Sequence, residues 1–156
     1  MTRPNWDEYF LDLLDNIGRR STCDRGRNGA IIVSRNNTIL TTGYAGSAPG
    51  DKHCDEVGHH IVTVIQPDGI SSQHCQRTLH AEENAILQAA MDGIRLRGVT
   101  IYCKMVPCFS CARRIARVGI KRVVSQKAYH LDKPSRQLFA DVGVELLVID
   151  DTVEEY

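Results

Sequence analysis

Two short segments of this chain carry side chains that could together hold a metal ion and move protons. His80 and Glu82 supply an imidazole and a carboxylate, and Cys108 and Cys111, just after Pro107, supply two thiols. Zinc prefers imidazole and thiolate donors, and a site with three protein ligands leaves a fourth position for water. Zinc makes such a water nucleophilic near neutral pH. The segments therefore predict a catalytic zinc held by His80, Cys108 and Cys111, with Glu82 beside it as the proton carrier.

The predicted elements around these residues would bring them together. If Pro107 opens a helix, Cys108 and Cys111 share one face of its first turn, where the helix dipole favours thiolate. His80 stands before an apolar-periodic helical run that Gly93 ends. A structural zinc site, or a redox Cys-x-x-Cys pair with an unrelated histidine, is the alternative. Structural zinc sites normally have four protein ligands and need no carboxylate beside them, so we favour the catalytic site.

Composition is typical of one small enzyme. The chain has 156 residues, 42% of them hydrophobic, which predicts a single domain with its core over 6–149 and an acidic, frayed tail over 150–156. Nineteen basic and nineteen acidic residues cancel, which argues against a nucleic-acid partner. No apolar stretch approaches the ~20 residues of a membrane span, and no secretory signal is recognised. In a cytoplasmic protein, six cysteines among histidines favour metal binding over disulfides.

The hydrophobic pattern predicts alternating helices and strands. Helices are expected over 5–20, 81–91, 108–118 and 132–142, and strands over 29–34, 38–43, 99–103, 121–125 and 144–149. Residues 44–76 are rich in Gly, Pro, Asp and His and are predicted to form a long functional loop. A helix separates the last two strands, so these should run parallel. The order predicts an α/β fold, a three-layer α/β/α sandwich around a five-stranded mixed sheet.

Further motifs carry a resemblance to a known family. They are Arg20-Ser21-Thr22-Cys23, Gly43-Tyr44-Ala45-Gly46, His53-Cys54-Asp55-Glu56 and the run from His74 to Glu82. Together with the segment from Pro107 to Cys111, they resemble the deoxycytidylate (dCMP) deaminases, bacterial and phage members more than animal ones. The resemblance extends from Trp6 to Ile149. The His-x-Glu and Pro-Cys-x-x-Cys pattern alone is typical of the wider superfamily of zinc nucleobase deaminases.

The resemblance implies a cytidine-deaminase-like fold and hydrolysis of dCMP to dUMP and ammonia, which supplies dUMP for thymidylate synthesis in the cytoplasm (the host's, for a phage protein). Glu82 would carry protons from water to N3 of cytosine and to the departing amine. Main-chain groups of Ala81 and near Val106 would orient the base. Candidates for the phosphate are Ser47, Tyr129 and Lys133, each equally compatible with ordinary loop surface. Family members commonly have Asn where this chain has Ala45, so Asn28 is a candidate for the missing amide; a turn residue is the alternative.

A second, structural zinc is also implied by the resemblance. Its predicted ligands are Cys23, Cys54, His59 and Cys75. Four N and S ligands with no open position are what a structural site requires, and the bound metal would order the long polar loop. His60 or His74 could replace His59, and three metal-free thiols among solvated histidines are the alternative. Cys103 is expected to be buried core, and Glu83 to be solvated surface.

Regulation is implied as well. Members of the family are typically hexamers that dCTP activates and dTTP inhibits, each bound with Mg²⁺ apart from the active site. The candidate residues for that site are Arg25, Arg27, Asn28, Gly29, Tyr44, Ala45 and Gly46. Arginines match phosphate charge and glycines let main-chain N–H groups approach phosphates, although a basic solvated loop has the same composition.

The sequence disfavours three alternatives to dCMP deamination. A tRNA adenosine deaminase would share the fold and the metal ligands, but that family usually has Glu at the position of Val106. A free cytidine deaminase joins its last strands without a crossover helix. A zinc-binding module without catalysis would have no need of Glu82.

Overall fold

The computed structural model describes residues 1–153, which contain five helices and seven strands. The helices are α1 (Trp6–Gly18), α2 (Cys54–Val57), α3 (Ala81–Asp92), α4 (Phe109–Arg117) and α5 (Lys133–Val142). The strands are β1 (Gly29–Val33), β2 (Ile39–Tyr44), β3 (Ile61–Ile65), β4 (Ser71–Cys75), β5 (Thr100–Met105), β6 (Arg122–Ala128) and β7 (Glu145–Val153).

The central sheet has five strands in the order β2-β1-β5-β6-β7. Strand β1 pairs antiparallel with both β2 and β5, whereas β5, β6 and β7 run parallel. The chain passes from β6 to β7 through α5, because parallel neighbours need a crossover connection. The predicted α/β fold, with a five-stranded mixed sheet and parallel last strands, is confirmed.

Helices cover both faces of this sheet. On one face, Phe10 and Leu14 of α1 are buried against Ile31 of β1 and Tyr102 of β5. On the other face, α3, α4 and α5 bury a larger apolar cluster that includes Ala85, Ile115 and Phe139. Packing on one face fixes the first turns of α3 and α4, where the predicted zinc ligands lie. No helix within residues 1–153 is both long enough and apolar enough to cross a membrane.

Local signals in the sequence set the helix ends. Asn5 caps α1: its side chain accepts a hydrogen bond from the main-chain N–H of Glu8, whose carboxylate accepts one from the N–H of Asn5. This reciprocal capping box satisfies two donors that a helix start leaves unpaired. Gly93 ends α3 in the left-handed conformation, with φ of 68°, which glycine adopts without the usual steric cost.

An ion pair joins α1 to the first residue of β6. The carboxylate of Asp7 accepts hydrogen bonds from both terminal nitrogens of Arg122 at 2.8 Å and from the hydroxyl of Tyr102 at 2.7 Å. These bonds, with that from Arg122 the largest cause, hold the pKa of Asp7 below its ordinary value. Such a bidentate arginine–carboxylate pair is among the stronger polar contacts in proteins.

We expect Asp7→Asn to lower the free energy of unfolding by about 2 kcal/mol at neutral pH, the typical contribution of hydrogen bonds to a charged group. Because the folded pKa of Asp7 is depressed, its contribution is fully present above the unfolded value and is lost as pH falls through the folded one. Urea unfolding of wild type and Asp7→Asn at pH 7 and near pH 3 tests this. A difference in stability that does not shrink at the lower pH would contradict it.

Residues 44–76 do not form the long loop that their composition predicts. They contain α2 and a separate two-stranded antiparallel sheet, in which Ile61 of β3 lies opposite Cys75 of β4. Strand β4 consists of two serines, a glutamine, a histidine and a cysteine, with none of the β-branched or aromatic residues typical of strands. The pairing with β3 decides its conformation, and composition therefore concealed it.

The predicted frayed tail is also wrong in part, because β7 continues through Asp150 and Asp151 to Val153. Asp150 pairs with Lys127 at 3.8 Å, and Asp151 pairs with Arg136 at 2.6 Å. These cations offset the poor strand propensity of aspartate. Residues 154–156 of the predicted tail lie outside the described part of the chain.

Candidate active site

The starts of two helices carry the predicted zinc ligands. His80 is the residue before α3 and Cys108 the residue before α4, both in extended conformation, and Cys111 lies in the first turn of α4. Strand β5 ends at Met105, and Val106 and Pro107 connect it to Cys108. Cys108 therefore lies one position before the helix that the sequence predicts to contain it.

The three side chains lie within metal-binding reach of one another. The Nδ1 atom of His80 is 3.4 Å from Cys108 Sγ and 3.5 Å from Cys111 Sγ, and all three ligand atoms lie within 4.8 Å of one another. The contact between the two thiols holds the pKa of Cys108 well below its ordinary range. The same contact raises the pKa of Cys111 well above it. The bond to Cys108 raises the pKa of His80 to about 9. One imidazole and two thiols at these distances fit zinc, which binds such groups in their deprotonated forms.

Glu82 lies beside this cluster in the wall of a cavity. Its side chain is half-buried, and burial raises the pKa of its carboxyl above the ordinary value. A raised pKa brings a carboxyl closer to the neutral range, in which general acid–base catalysis is most efficient. The neighbouring Glu83 is not the solvated residue that was predicted. Its carboxylate is 18% exposed and pairs with Arg114 of α4 at 3.1 Å, because the two helices approach each other there.

The cavity has a volume of about 420 Å³ and contains His80, Glu82 and Cys108 in its lining. Part of its wall is apolar: Met105, Val106, Tyr129 and Leu131 form a buried cluster, and Cys108 packs against it. An apolar wall with a few polar groups at fixed positions is typical of small-molecule sites. Ala81 and Val106, predicted to orient a base, both line this cavity.

The polar side of the cavity comes from three segments: residues 23–28, strand β4, and the residues that follow β6. Arg25, Asn28, Gln73 and His130 are among the polar residues that line it. The guanidinium of Arg25 donates a hydrogen bond to the carbonyl oxygen of Gln73 at 3.4 Å, so it bridges two of the segments. The cavity therefore combines a cation and an uncharged amide with the metal cluster.

The structure separates some residues that the sequence grouped together. Of the three phosphate candidates, Tyr129 lines the cavity, whereas Ser47 and Lys133 lie outside its lining. The residues predicted to bind a regulatory nucleotide are separated as well. Arg25, Asn28 and Ala45 line the cavity that contains Glu82, whereas Arg27, Gly29, Tyr44 and Gly46 do not. The seven residues predicted to bind a regulatory nucleotide are therefore divided between the lining of the cavity and positions next to it in sequence.

A second cluster brings together the four residues predicted for a structural zinc. The ligand atoms of Cys23, Cys54, His59 and Cys75 lie within 4.8 Å of one another. Cys23 Sγ is 3.5 Å from His59 Nδ1, and Cys54 Sγ is 3.5 Å from Cys75 Sγ. The alternatives His60 and His74 are not members of the cluster.

The surroundings of the second cluster orient its side chains. The Nε2 atom of His59 contacts the carboxylate of Asp24 at 3.0 Å, which turns Nδ1 toward the thiols. Metal-binding histidines usually make such a contact with their other ring nitrogen. Burial raises the pKa of the Cys54 thiol to about 11. Burial acts in the same direction on Cys75, but main-chain hydrogen bonds at His60 and Arg77 lower its pKa to about 6.

Sequence reasoning missed the contribution of β4 to the cavity. The run from Ser71 to Cys75 lines it, with His74 stacked on His80 at 6.3 Å between ring centroids. His130, immediately after the predicted candidate Tyr129, was missed as well. The only signal for β4 was a continuous run of polar residues shortly before a predicted metal ligand, and such a run does not indicate a strand.

Known proteins similar to this chain agree with the geometry. The family model for the cytidine and deoxycytidylate deaminase zinc-binding region matches residues 4–127. The chain is 36% identical to the deoxycytidylate deaminase of Mycobacterium phage D29 over 131 residues, 81% of this chain and 98% of the phage protein. It is 35% identical to the deoxycytidylate deaminase of Schizosaccharomyces pombe over 92% of its length, but spans only 44% of that protein. The resemblance predicted from the motifs is confirmed.

A solved structure supports the same relationship. The dCMP deaminase of cyanophage S-TIM5, crystallised in complex with dCMP and dUMP, superimposes with a TM-score of 0.72 at 26% identity. The match covers 94% of this chain and 98% of the cyanophage chain. The central sheet, the helices and the crossover through α5 therefore belong to a fold that holds these nucleotides in a relative.

Proposed function

The chain belongs to the family of cytidine and deoxycytidylate deaminases, and from that membership we propose that it hydrolyses dCMP to dUMP and ammonia. One observation carries the proposal: the carboxyl of Glu82 lies beside the cluster of His80, Cys108 and Cys111 in a cavity that also contains Arg25. A proton carrier, a metal site and a cation for phosphate thus share one cavity. The relatives named for dCMP deamination support this substrate.

His80, Cys108 and Cys111 would hold the zinc of this site. When bound, zinc supplies the Lewis acidity that makes water nucleophilic near neutral pH. The raised pKa of Glu82 suits it to accept the proton that the attacking water loses and to deliver it to N3 of the cytosine ring as the C4–O bond forms. Glu82 then carries the second proton of that water to the amino group, and the C4–N bond breaks to release ammonia.

The apolar wall would hold the flat cytosine ring. Met105, Val106 and Leu131 present hydrophobic surface, and Ala81, in the first turn of α3, offers a main-chain N–H beside it. Apolar walls orient a base by excluding water, and a few polar contacts then fix which edge faces the reacting groups. Since C4 must approach the zinc cluster, the sugar and phosphate extend toward the polar side of the cavity.

Arg25 is our candidate for the phosphate of dCMP. It lines the cavity with His130 and Tyr129, and its planar guanidinium can donate two hydrogen bonds to one phosphate. This assignment replaces Lys133 and Ser47, which lie outside the lining. One arginine at the cavity is compatible with the zero net charge of the chain, because a mononucleotide carries a single phosphate group that one cation can bind.

The cluster of Cys23, Cys54, His59 and Cys75 would hold a second, structural zinc. Its four N and S donors leave no open position, and the contact between His59 and Asp24 supports the geometry of a ligand. The metal would join the loop of residues 23–28 to strand β4, and both of these segments line the cavity.

We include regulation in the proposal. A hexamer that dCTP activates and dTTP inhibits, each bound with Mg²⁺, would adjust dUMP supply to the pyrimidine pool. Arg27, Tyr44 and Gly46 lie next in sequence to cavity residues but outside the lining, so a nucleotide bound there would act on the cavity through its neighbours. The cytoplasmic location also remains a prediction.

Steady-state assays on a substrate panel test the proposal. We expect dUMP from dCMP, little product from deoxycytidine because it lacks the phosphate, and none from a tRNA stem-loop. The dCMP curve should be sigmoidal and become hyperbolic when dCTP and Mg²⁺ are added. Equal turnover of deoxycytidine and dCMP would contradict the phosphate contact, and hyperbolic kinetics indifferent to both triphosphates would remove the regulation alone.

A further inference from the structure

The side-chain amide of Asn28 lines the cavity without a protein partner. The main chain of Asn28 is fully engaged: its N–H donates to the carbonyl of Gly26 at 2.8 Å, and its carbonyl accepts from the N–H of Ala45 at 3.1 Å. Within residues 1–153 its half-buried side-chain amide makes no hydrogen bond. The amide is therefore not used to stabilise the turn before β1, which is the structural role that its position in the sequence suggests.

Strand pairing determines which way Asn28 faces. The register that pairs Ala30 with Gly43 places Asn28 opposite Ala45, and opposed residues of antiparallel strands share a face. Side chains alternate along a strand, so Asn28 lies on the same face as Ala30, which is buried in one cluster with Ala81. That face carries the start of α3, where His80 and Glu82 lie.

The residue opposite Asn28 leaves room for a ligand. Ala45 is buried and also lines the cavity, and its methyl group neither fills the space that a larger side chain would occupy nor offers a polar atom. Gly26 lies on the other side, where an added Cβ would come 3.2 Å from the amide nitrogen of Asn28. Two small residues thus flank an amide that is free to both donate and accept hydrogen bonds.

We propose that Asn28 is a specificity-determining residue that binds the 3′-hydroxyl of the nucleotide sugar. The inference rests on the proposed function. In dCMP the 3′-hydroxyl is the sole free hydroxyl of the sugar, since the 5′ oxygen carries the phosphate and C2′ carries hydrogen. A hydroxyl both donates and accepts, which an uncharged amide matches and a guanidinium does not. The base edge is taken by Glu82 and the phosphate by Arg25, so the sugar is the part of the substrate left for Asn28.

The test compares kcat/KM for dCMP and for 2′,3′-dideoxycytidine 5′-monophosphate, which lacks this hydroxyl. Wild type should prefer dCMP by about 10-fold, the effect of one neutral hydrogen bond. Asn28→Ala should lower kcat/KM for dCMP by about the same factor and leave the dideoxy substrate unchanged, so the preference disappears. Equal losses on both substrates, or no loss on dCMP, would overturn the assignment.

A matched variant and the wild-type comparison keep the test independent of folding. Asn36→Ala removes an exposed amide from the turn at the other end of β1, outside the cavity, and should leave both substrates unaffected. Should Asn28→Ala fail to fold, equal kcat/KM of wild type for the two nucleotides would still overturn the inference. Wild type that turns over neither nucleotide would overturn the proposed function itself.

Discussion

Replacing Glu82 with alanine is expected to reduce kcat for dCMP by about 10⁴-fold or more while the zinc of the active site remains bound. A general acid–base group contributes about 10²–10⁴-fold, and Glu82 is assigned a proton transfer at two successive steps. Metal content should not change, because the three proposed ligands are His80, Cys108 and Cys111. Single-turnover assays with elemental analysis of the same preparation measure both quantities.

Two other variants separate proton transfer from metal binding. Glu83→Gln changes an equally acidic neighbour that pairs with Arg114 rather than facing the cavity, so it should keep turnover near that of wild type. Cys111→Ala should lose metal together with activity, because two protein ligands hold zinc poorly. If Glu82→Ala kept a tenth of wild-type turnover, the proton-transfer role would be wrong.

The active-site cluster was predictable because short-range geometry controls it. His80 and Glu82 are two residues apart, and Cys108 and Cys111 are three apart, so a helix start fixes each pair without knowledge of the rest of the chain. Burial of the apolar faces of α3 and α4 on one side of the sheet then brings the two starts together. Hydrophobic periodicity predicted both helices, and the meeting of the two pairs follows from the fold.

Long-range pairing explains what the sequence did not predict. Strand β4 is polar and exists because β3 pairs with it, and the last residues of β7 depend on cations from β6 and α5. The position of Arg25 in the cavity likewise depends on where the loop of residues 23–28 lies against β4. No local propensity encodes these contacts, so composition assigned the first two regions to a loop and a tail.

The second metal cluster leads to the largest expected effect on stability. Cys54→Ala should reduce zinc from two to one per chain and lower the free energy of unfolding by about 4 kcal/mol or more, as loss of a structural metal does. The sheet of β3 and β4 is separate from the central sheet, and two strands alone are marginally stable. Ile61, Ile65 and Ile70 are exposed there, so apolar burial contributes little.

A matched cysteine distinguishes loss of a ligand from loss of a buried thiol. Cys103 of β5 is fully buried, as predicted, and belongs to neither cluster. Cys103→Ala should therefore retain two zincs and lose only the packing of one sulfur atom. Wild type that binds a single zinc, with Cys23, Cys54 and Cys75 open to alkylation, would exclude the structural site.

Loss of the proposed second metal should also affect substrate binding in the cavity more than the chemical step. Cys23 begins the loop that carries Arg25 and Asn28, and Cys75 ends the strand that carries Gln73. With Cys54→Ala the proposed metal would no longer hold these two walls together, so we expect KM for dCMP to rise about 10-fold or more, because binding contacts to the sugar and the phosphate are weakened. Glu82 and the three proposed ligands of the catalytic zinc lie in or next to α3 and α4, which the core holds in place, so kcat at saturating dCMP should change much less. A fall in kcat with unchanged KM would show that the second cluster acts on the reacting groups instead.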